Sequence, residues 1–393
     1  MAAMEKNNKN LNVPNLRFPE FSGEWEIHRL GELVEIKSGV SPTGIIDENG
    51  LFPFYKVEQL NNCYVELNET PYLTMQSSVP VHSIIFPKRG AAIMTNKIRI
   101  ASKPCQLDTN LMALIIENNE KVDYKFLFYF IARYNLSKIA DTSTIPQINN
   151  IHINPLKITL PSIKEQQKIS ALLTVLDLKI DTQRKIIEDL KKLKDAICNL
   201  NFTSGSVLKL GNAGKFVRGL TYSASDVIDY TIGTAVMRSN NISNGDPVNF
   251  EELVWVNKTP NHEQILRSGD IVICMANGSS SLVGKASYYV DCGIESATVG
   301  AFCGIYRSDN PLTKWLFQSK HYKKHIQRCI QGGNGAIANI YPEDILAISF
   351  NIPCGYERVL NILNSLEEKY LLEQKLLSRY LGVKSYLLSR LFI

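Results

Sequence analysis

The chain has 393 residues, 45% hydrophobic and 21% charged, with 43 lysines and arginines against 38 aspartates and glutamates for a net charge of +5. That length exceeds one ordinary core and, at about 150 residues per domain, predicts two or three domains, while the mild positive charge permits a polyanionic partner without requiring one. No apolar run approaches the roughly 18 residues of a membrane span, and eight cysteines without a C-x-x-C pair signal neither a zinc ribbon nor a disulfide framework.

The opening "MAAMEKNNKNLN" is polar and lacks the apolar region of a signal peptide, so residues 1–14 are expected to be a disordered N-terminus of a cytoplasmic protein whose cysteines are reduced core thiols. Residues 15–160 are broken by Gly, Pro, Asn and Ser clusters around β-branched runs such as "SIIF", the pattern of a mixed α+β module. From Pro161, "PSIKEQQKISALLTVLDLKIDTQRKIIEDLKKLKDAICNL" predicts a long helix over 161–202. Its apolar positions 169, 173, 176, 180, 187, 190 and 197 follow the alternating spacing of a heptad seam, interrupted by Gln183 and Lys194. Residues 203–353, with runs such as "DIVICM", predict a second α+β module. Residues 354–393 predict a second long helix, with a seam at 359, 363, 366, 370, 377, 380 and 387 interrupted by Glu373 and Lys384.

The order of features is written twice. "LGELVEIKSGVSPT" from Leu30 parallels "LGNAGKFVRGLTYS" from Leu210, aligning Gly31 with Gly211 and Gly39 with Gly219. "FYKVEQL" parallels "VMRSNNI", and "YKFLFYF" parallels "TKWLFQS". Two helices with matching seams and matching interruptions are expected to pair with each other through Leu173, Leu176, Ile180, Gln183, Ile187 and Leu190 against Leu363, Leu366, Tyr370, Glu373, Leu377 and Tyr380. Because the whole second module lies between them, the pair should be antiparallel, with a pseudo-twofold axis where Gln183 faces Glu373. At 1.5 Å per residue, such helices make a rod of roughly 54 Å.

The phrase "IPQINNIHINPLKITLPSIKEQQKISALLTVLDLKID", the later "LKKLKDAICNLNF" and the opening "FPEFSGEWEIHRLGELVEIKSG" resemble the specificity (S, HsdS) subunits of type I restriction-modification systems over nearly the whole chain. The second copy departs from the pattern: after Pro353 it reads "CGYERVLNILNSL", two residues shorter and without E-Q-Q. This makes "KEQQK" the expected place for unequal docking of partners. The resemblance implies an α+β fold of two target-recognition domains in pseudo-twofold arrangement, separated by two long antiparallel coiled-coil helices. It further implies a non-catalytic reader of bipartite double-stranded DNA that docks two methyltransferase subunits and two restriction subunits. S-adenosylmethionine, ATP and Mg would be used by those partners, with no cofactor or metal bound by this chain.

Lysine and arginine suit phosphate or guanine, and asparagine and glutamine suit adenine. The DNA-contacting candidates near predicted turns are Lys37, Lys56, Lys88, Arg89, Lys97, Arg99 and Gln147 in the first module. In the second they are Arg218, Arg238, Asn240, Asn241, Lys258, Asn277 and Lys285, with "MRSNNISNG" the strongest short cluster. For each of them the competing reading is an ordinary solvated side chain. "GSSSLVGKAS" has one residue too many, and Ala286 in place of Ser or Thr, for a P-loop. "HYKKHIQRC" puts His321, His325 and Cys329 on one helical face without an evident fourth ligand. "NETPYL" has Thr70 where an amino-methyltransferase motif needs proline, and "GGNGA" reads as a turn. The rival functions are a self-contained DNA methyltransferase or endonuclease, and a protein scaffold that does not bind DNA.

Overall fold

The structure is a computed structural model that describes residues 12–61, 63–67, 70–142, 145–202, 204–229, 232–332 and 337–393. Residues 1–11 of the expected N-terminal tail, Asn68 and Glu69 of "NETPYL" and residues 333–336 of "GGNGA" lie outside this set. The described chain begins tied down, since the Asn12 carbonyl accepts from the Trp25 N–H at 2.8 Å. It divides into two compact units, one running to Lys185 and resuming at Glu373–Ile393, the other Ile186–Leu372. The spatial units and the sequence copies thus cut the chain differently: each unit holds one module and part of both long helices.

In the first unit the strands are β1 (Glu26–Arg29), β2 (Val34–Ser38), β3 (Phe52–Tyr55), β4 (Leu73–Thr74), β5 (Ile84–Pro87), β6 (Arg99–Ile100), β7 (Gln106–Leu107) and β8 (Leu111–Ile116). Helices α1 (Tyr124–Tyr134) and α2 (Asn150–Ile153), strand β9 (Lys157–Leu160) and the long α3 (Ile163–Asn201) follow. A four-stranded antiparallel sheet runs β2-β8-β5-β6, a smaller sheet runs β4-β3-β7 with β3 and β7 parallel, and β1 pairs with β9. Strand β5 is apolar throughout because both its faces are covered. Ile84 and Phe86 enter one core with Phe126, Leu127 and Leu173, while Ile85 enters another with Tyr55, Leu60 and Leu107.

The second unit repeats this plan after a short β10 (Ser206–Lys209) and α4 (Leu210–Ala213), with β11 (Lys215–Arg218), β12 (Val227–Ile228), β13 (Thr234–Met237), β14 (Val254–Val256) and β15 (Ile271–Cys274). Next come β16 (Ala276–Asn277), β17 (Ala286–Tyr288), β18 (Ala297–Val299), β19 (Cys303–Arg307), α5 (Thr313–Leu316), α6 (Lys320–Cys329), β20 (Ala338–Asn339), α7 (Pro342–Leu346), β21 (Ser349–Ile352) and the long α8 (Tyr356–Leu391). Its main sheet runs β11-β19-β15-β17, its second sheet holds β13 parallel to β18, and β10 pairs with β21. Ile271 and Ile273 face one core, and Val272 and Cys274 face the other, as in β5.

The aligned glycines have a steric cause. A Cβ on Gly39 would lie 2.0 Å from the Asp108 carbonyl oxygen, and one on Gly219 would lie 2.1 Å from that of Gly300. The copies differ at "TKWLFQS": where "YKFLFYF" makes the single helix α1, the second copy breaks. The Ser319 side chain accepts from the Tyr322 N–H and so caps a new helix, α6.

The long helices run antiparallel within each unit. In the first unit the Gln183 amide donates to the Glu373 backbone carbonyl at 3.1 Å and to its carboxylate, and Asp177 pairs with Lys384 at 2.6 Å. Leu173, Leu176, Ile180 and Gln183 are buried, and Glu373, Leu377 and Tyr380 half-buried. In the second unit Lys194 pairs with Glu367 with both side chains buried, while Leu190, Leu363 and Tyr370 are buried and Ile187 and Leu366 half-buried. The seam's two lysines are therefore cross-helix ion-pair partners, each held against a carboxylate.

The "KEQQK" turn corrects an expectation. Glu165 is buried and receives a two-pronged bond from the Arg17 guanidinium, 2.8 Å on each arm. Gln166, also buried, donates to the carbonyls of Lys121 and Pro161 and accepts from the Asp123 N–H. These two side chains fasten the helix to its own module and cannot also meet a partner; Lys164, Gln167 and Lys168 stay exposed. The cysteines need a second correction. Cys105, Cys198, Cys274 and Cys303 are buried, but Cys292 and Cys354 lie on the surface, in loops with no core to enter.

Candidate nucleic-acid interface

In the second unit, β13 ends in a tight turn, Ser239–Asn241, that presents Arg238 and Asn240 to solvent. Asn241 is what holds the turn. It is fully buried, its Oδ1 accepts from the Arg238 N–H at 2.8 Å, and its Nδ2 donates to the carbonyls of Asn249 and Glu251. With its amide spent and enclosed, Asn241 is a loop-fixing residue and not a reader, against the sequence-based expectation. The first unit builds the same device from Lys56 and Gln59: the Gln59 Oε1 accepts from the Lys56 N–H at 2.8 Å.

Asn277, at the end of β16, donates to the Ser239 hydroxyl at 3.1 Å and so joins the Arg238 turn. Between them opens a cleft of about 400 Å³ walled by Arg238, Asn277, Ala276, Ala301, Phe302 and Tyr222. Asn240 sits outside it, 3.5 Å from the Glu252 carboxylate. The cleft gathers two of the second module's candidates and adds Phe302, 64% exposed, which sequence reasoning missed. An aromatic exposed beside an arginine is a signature of recognition surfaces, but Phe302 lies about 60 residues from Arg238 and only the sheet brings them together. The remaining candidates are dispersed. Arg218 is exposed on β11, Lys285 is half-buried beside β17, and the Lys258 ammonium donates to the Thr221 carbonyl at 2.7 Å.

In the first unit Arg89 and Gln147 pair across an isolated β-bridge, and the Lys88 carbonyl accepts from the Ile148 N–H at 2.8 Å. Lys88, Arg89 and Gln147 thus share one edge. Burial, and then the neighbouring Arg89, push the Lys88 ammonium below its usual range. The Lys56 ammonium lies 3.5 Å over the Tyr72 ring. Lys37 is half-exposed on β2, and Lys97 donates to the Asn61 side chain. Arg99 departs from the expected role, because its guanidinium donates to the carbonyls of Ile98 and Leu60, both at 2.7 Å, and is held within the fold.

The "HYKKHIQRC" residues have partners of their own: His325 meets the Asp344 carbonyl at 3.0 Å and His321 packs edge-on against Phe350. Two networks also escaped the sequence. The Tyr288 hydroxyl donates to Glu367, and burial followed by that bond pushes it well above the usual tyrosine range. The Tyr129 hydroxyl donates to Asp177 at 2.8 Å. A signal for the carboxylates was present, since Asp177 and Glu367 stand at the same separation of about 190 residues that relates Lys194 to Lys384.

Residues 22–192 match the sequence profile of the type I restriction modification DNA specificity domain. The chain is 25% identical over 359 residues to the type I restriction enzyme MjaVIII specificity subunit of Methanocaldococcus jannaschii, covering 81% of this chain and 79% of that protein. It is 33% identical over 147 residues to the EcoKI specificity subunit of Escherichia coli, covering 35% and 30% respectively. The fold is similar to the crystal structure of a type I restriction-modification S subunit from M. genitalium, with a TM-score of 0.60 at 17% identity, covering 97% of this chain and 99% of that one. The matched profile, the duplicated sheet order and the paired long helices agree: residues 22–192 match a type I restriction modification DNA specificity domain, and the chain as a whole is similar to the specificity subunits of type I restriction-modification systems.

Proposed function

We infer that the chain is the DNA sequence-specificity subunit of a type I complex, with each unit reading one part of a bipartite double-stranded site. The observation that carries this reading is the duplication. The first unit holds most of the DNA specificity domain, and the second repeats its main sheet strand for strand and places a basic turn after the same strand. Phosphate contacts would come from the exposed cations, including Arg89 and Arg218, and sequence from the Arg238 cleft and the Lys88–Gln147 edge.

The long helices serve as spacer and as docking surface. Exposed apolar side chains support docking: Leu172, Val175, Leu178 and Val383 in the first unit, and Leu193 and Leu372 in the second. The partners are two methyltransferase subunits and two restriction subunits, which use S-adenosylmethionine, ATP and Mg, while this chain supplies recognition and no chemistry. No described helix is long and apolar enough to cross a membrane.

Mapping methylated adenines in cells that carry this chain with its methyltransferase partner tests the proposal. A bipartite motif with a fixed gap is expected, and insertion of one heptad into each long helix should change the gap and leave both half-sites intact. Absence of any DNA shift with the partner present would favour the scaffold reading. Methylation by the purified chain alone would favour a self-contained enzyme.

A further inference from the structure

The Arg238 cleft differs from its counterpart in the first unit in a way that bears on which base is read; the inference rests on the DNA-reading function proposed above. Matching backbone bonds align the two sites. The Val40 N–H donates to Leu107 and the Leu220 N–H to Val299, while the Lys88 N–H donates to Asn110 and the Met275 N–H to Phe302. Gly300 and Ala301 therefore stand where the first unit has Asp108 and Thr109, and Phe302 stands where it has Asn110. In the first unit Asp108 turns back on its own loop, accepting from the Asn110 N–H at 2.9 Å and from its side-chain amide at 2.8 Å. In the second unit nothing larger than a methyl group occupies those two positions, and the cleft is open.

Around this opening the polar groups are unequal. The Asn277 side chain is anchored at both ends, its Nδ2 donating to the Ser239 hydroxyl and its Oδ1 accepting from the Ser279 N–H, so it forms a fixed wall. Among the described residues the Arg238 guanidinium makes no hydrogen bond or ion pair, whereas its backbone is locked by Asn241. The Lys56 ammonium, at the matching position, rests on Tyr72. An arginine whose backbone is fixed and whose planar donors are unspent has the geometry for the paired acceptors of a guanine edge. A phosphate would satisfy the same donors but remains solvated, and the apolar walls of Phe302, Ala301 and Ala276 suit a base edge better.

We propose that Arg238, presented at this cleft, reads the guanine of a G·C pair in the half-site of the second unit. The test maps methylated adenines for the wild-type complex and for complexes carrying Arg238→Ala or Arg238→Lys. The wild-type motif is expected to hold a G·C pair that Arg238→Ala makes degenerate, its preference there falling by roughly tenfold or more, while the other half-site and the gap stay fixed. Arg238→Lys should keep part of the preference. Loss of preference at a position other than a G·C pair, or at no position, overturns the proposal. So does a uniform loss of methylation at all sites in both variants when circular dichroism and co-purification show a folded, assembled complex, since Arg238 would then be anchoring phosphate. A wild-type complex with no sequence preference would instead overturn the DNA-reading function itself.

Discussion

The two units share sheet order and register, yet they fasten their long helices by different chemistry. At the start of α3, Glu165 and Gln166 are buried and carry five hydrogen bonds to Arg17, Lys121, Pro161 and Asp123. At the start of α8, Gly355 turns the chain with φ +70 and Tyr356, Val359 and Leu360 pack against the apolar core. The backbone plan survived duplication because register and close approaches such as Gly39 and Gly219 constrain it. The fastening was free to diverge, since a polar network and an apolar contact can both hold a helix end.

The largest expected effect compares the two cross-helix ion pairs. Lys194→Met leaves the buried Glu367 carboxylate with the Tyr288 hydroxyl but no countercharge and should cost about 3–5 kcal/mol, whereas Lys194→Met with Glu367→Leu should recover part of that, since the Tyr288 hydroxyl then loses its acceptor. Lys384→Met should cost less, since Lys384 retains some solvent exposure at 16%. Urea unfolding of the three variants measures this; equal losses for Lys194→Met and Lys384→Met would break the comparison. Next, Arg17→Ala should cost roughly 2 kcal/mol and raise amide exchange over 163–170, leaving 356–363 unchanged. Equal exchange at both helix starts would show that the polar network is not what fastens the first.

A smaller effect concerns DNA. Arg89→Ala should weaken binding evenly across sequences and reduce the slope of log affinity against log salt by roughly 0.9, in contrast to the position-specific change expected of Arg238→Ala. Titrating affinity against salt separates the two. The smallest effect is chemical. Burial pushes the Cys105 thiol up to about 12, and does the same, chiefly, for Cys198. At pH 8 both stay protonated and should resist alkylation, while the exposed Cys292 and Cys354 react first. Peptide mass spectrometry after brief iodoacetamide treatment reads the order.

Much of the fold was legible in the chain because periodicity is a local property. The seam positions Leu173, Ile180, Leu363 and Tyr370 are visible as spacing, and all four are buried. The meeting of Gln183 with Glu373 followed from matching interruptions and from topology. The inward-facing roles of Glu165 and Gln166 were not legible, because their partners Arg17 and Lys121 are distant in sequence and a polar residue at a helix start reads as solvated. Asn241 and Arg99 carried the right functional groups for DNA, but a side-chain amide or guanidinium does not declare in sequence whether backbone carbonyls have already claimed it.

The sequence by itself determined the duplication, the two α+β modules, the long paired helices and the resemblance to a family, since hydrophobic period, glycine spacing and an extended phrase are all written along the chain. Only the tertiary structure decided which polar side chains remain free. Sheet pairing brings β13, β16 and the β18–β19 turn to one cleft, leaves Arg238 unspent there, and encloses Asn241 beside it. Hydrogen-bond satisfaction is a property of three-dimensional neighbours, and two asparagines one residue apart can therefore have opposite fates.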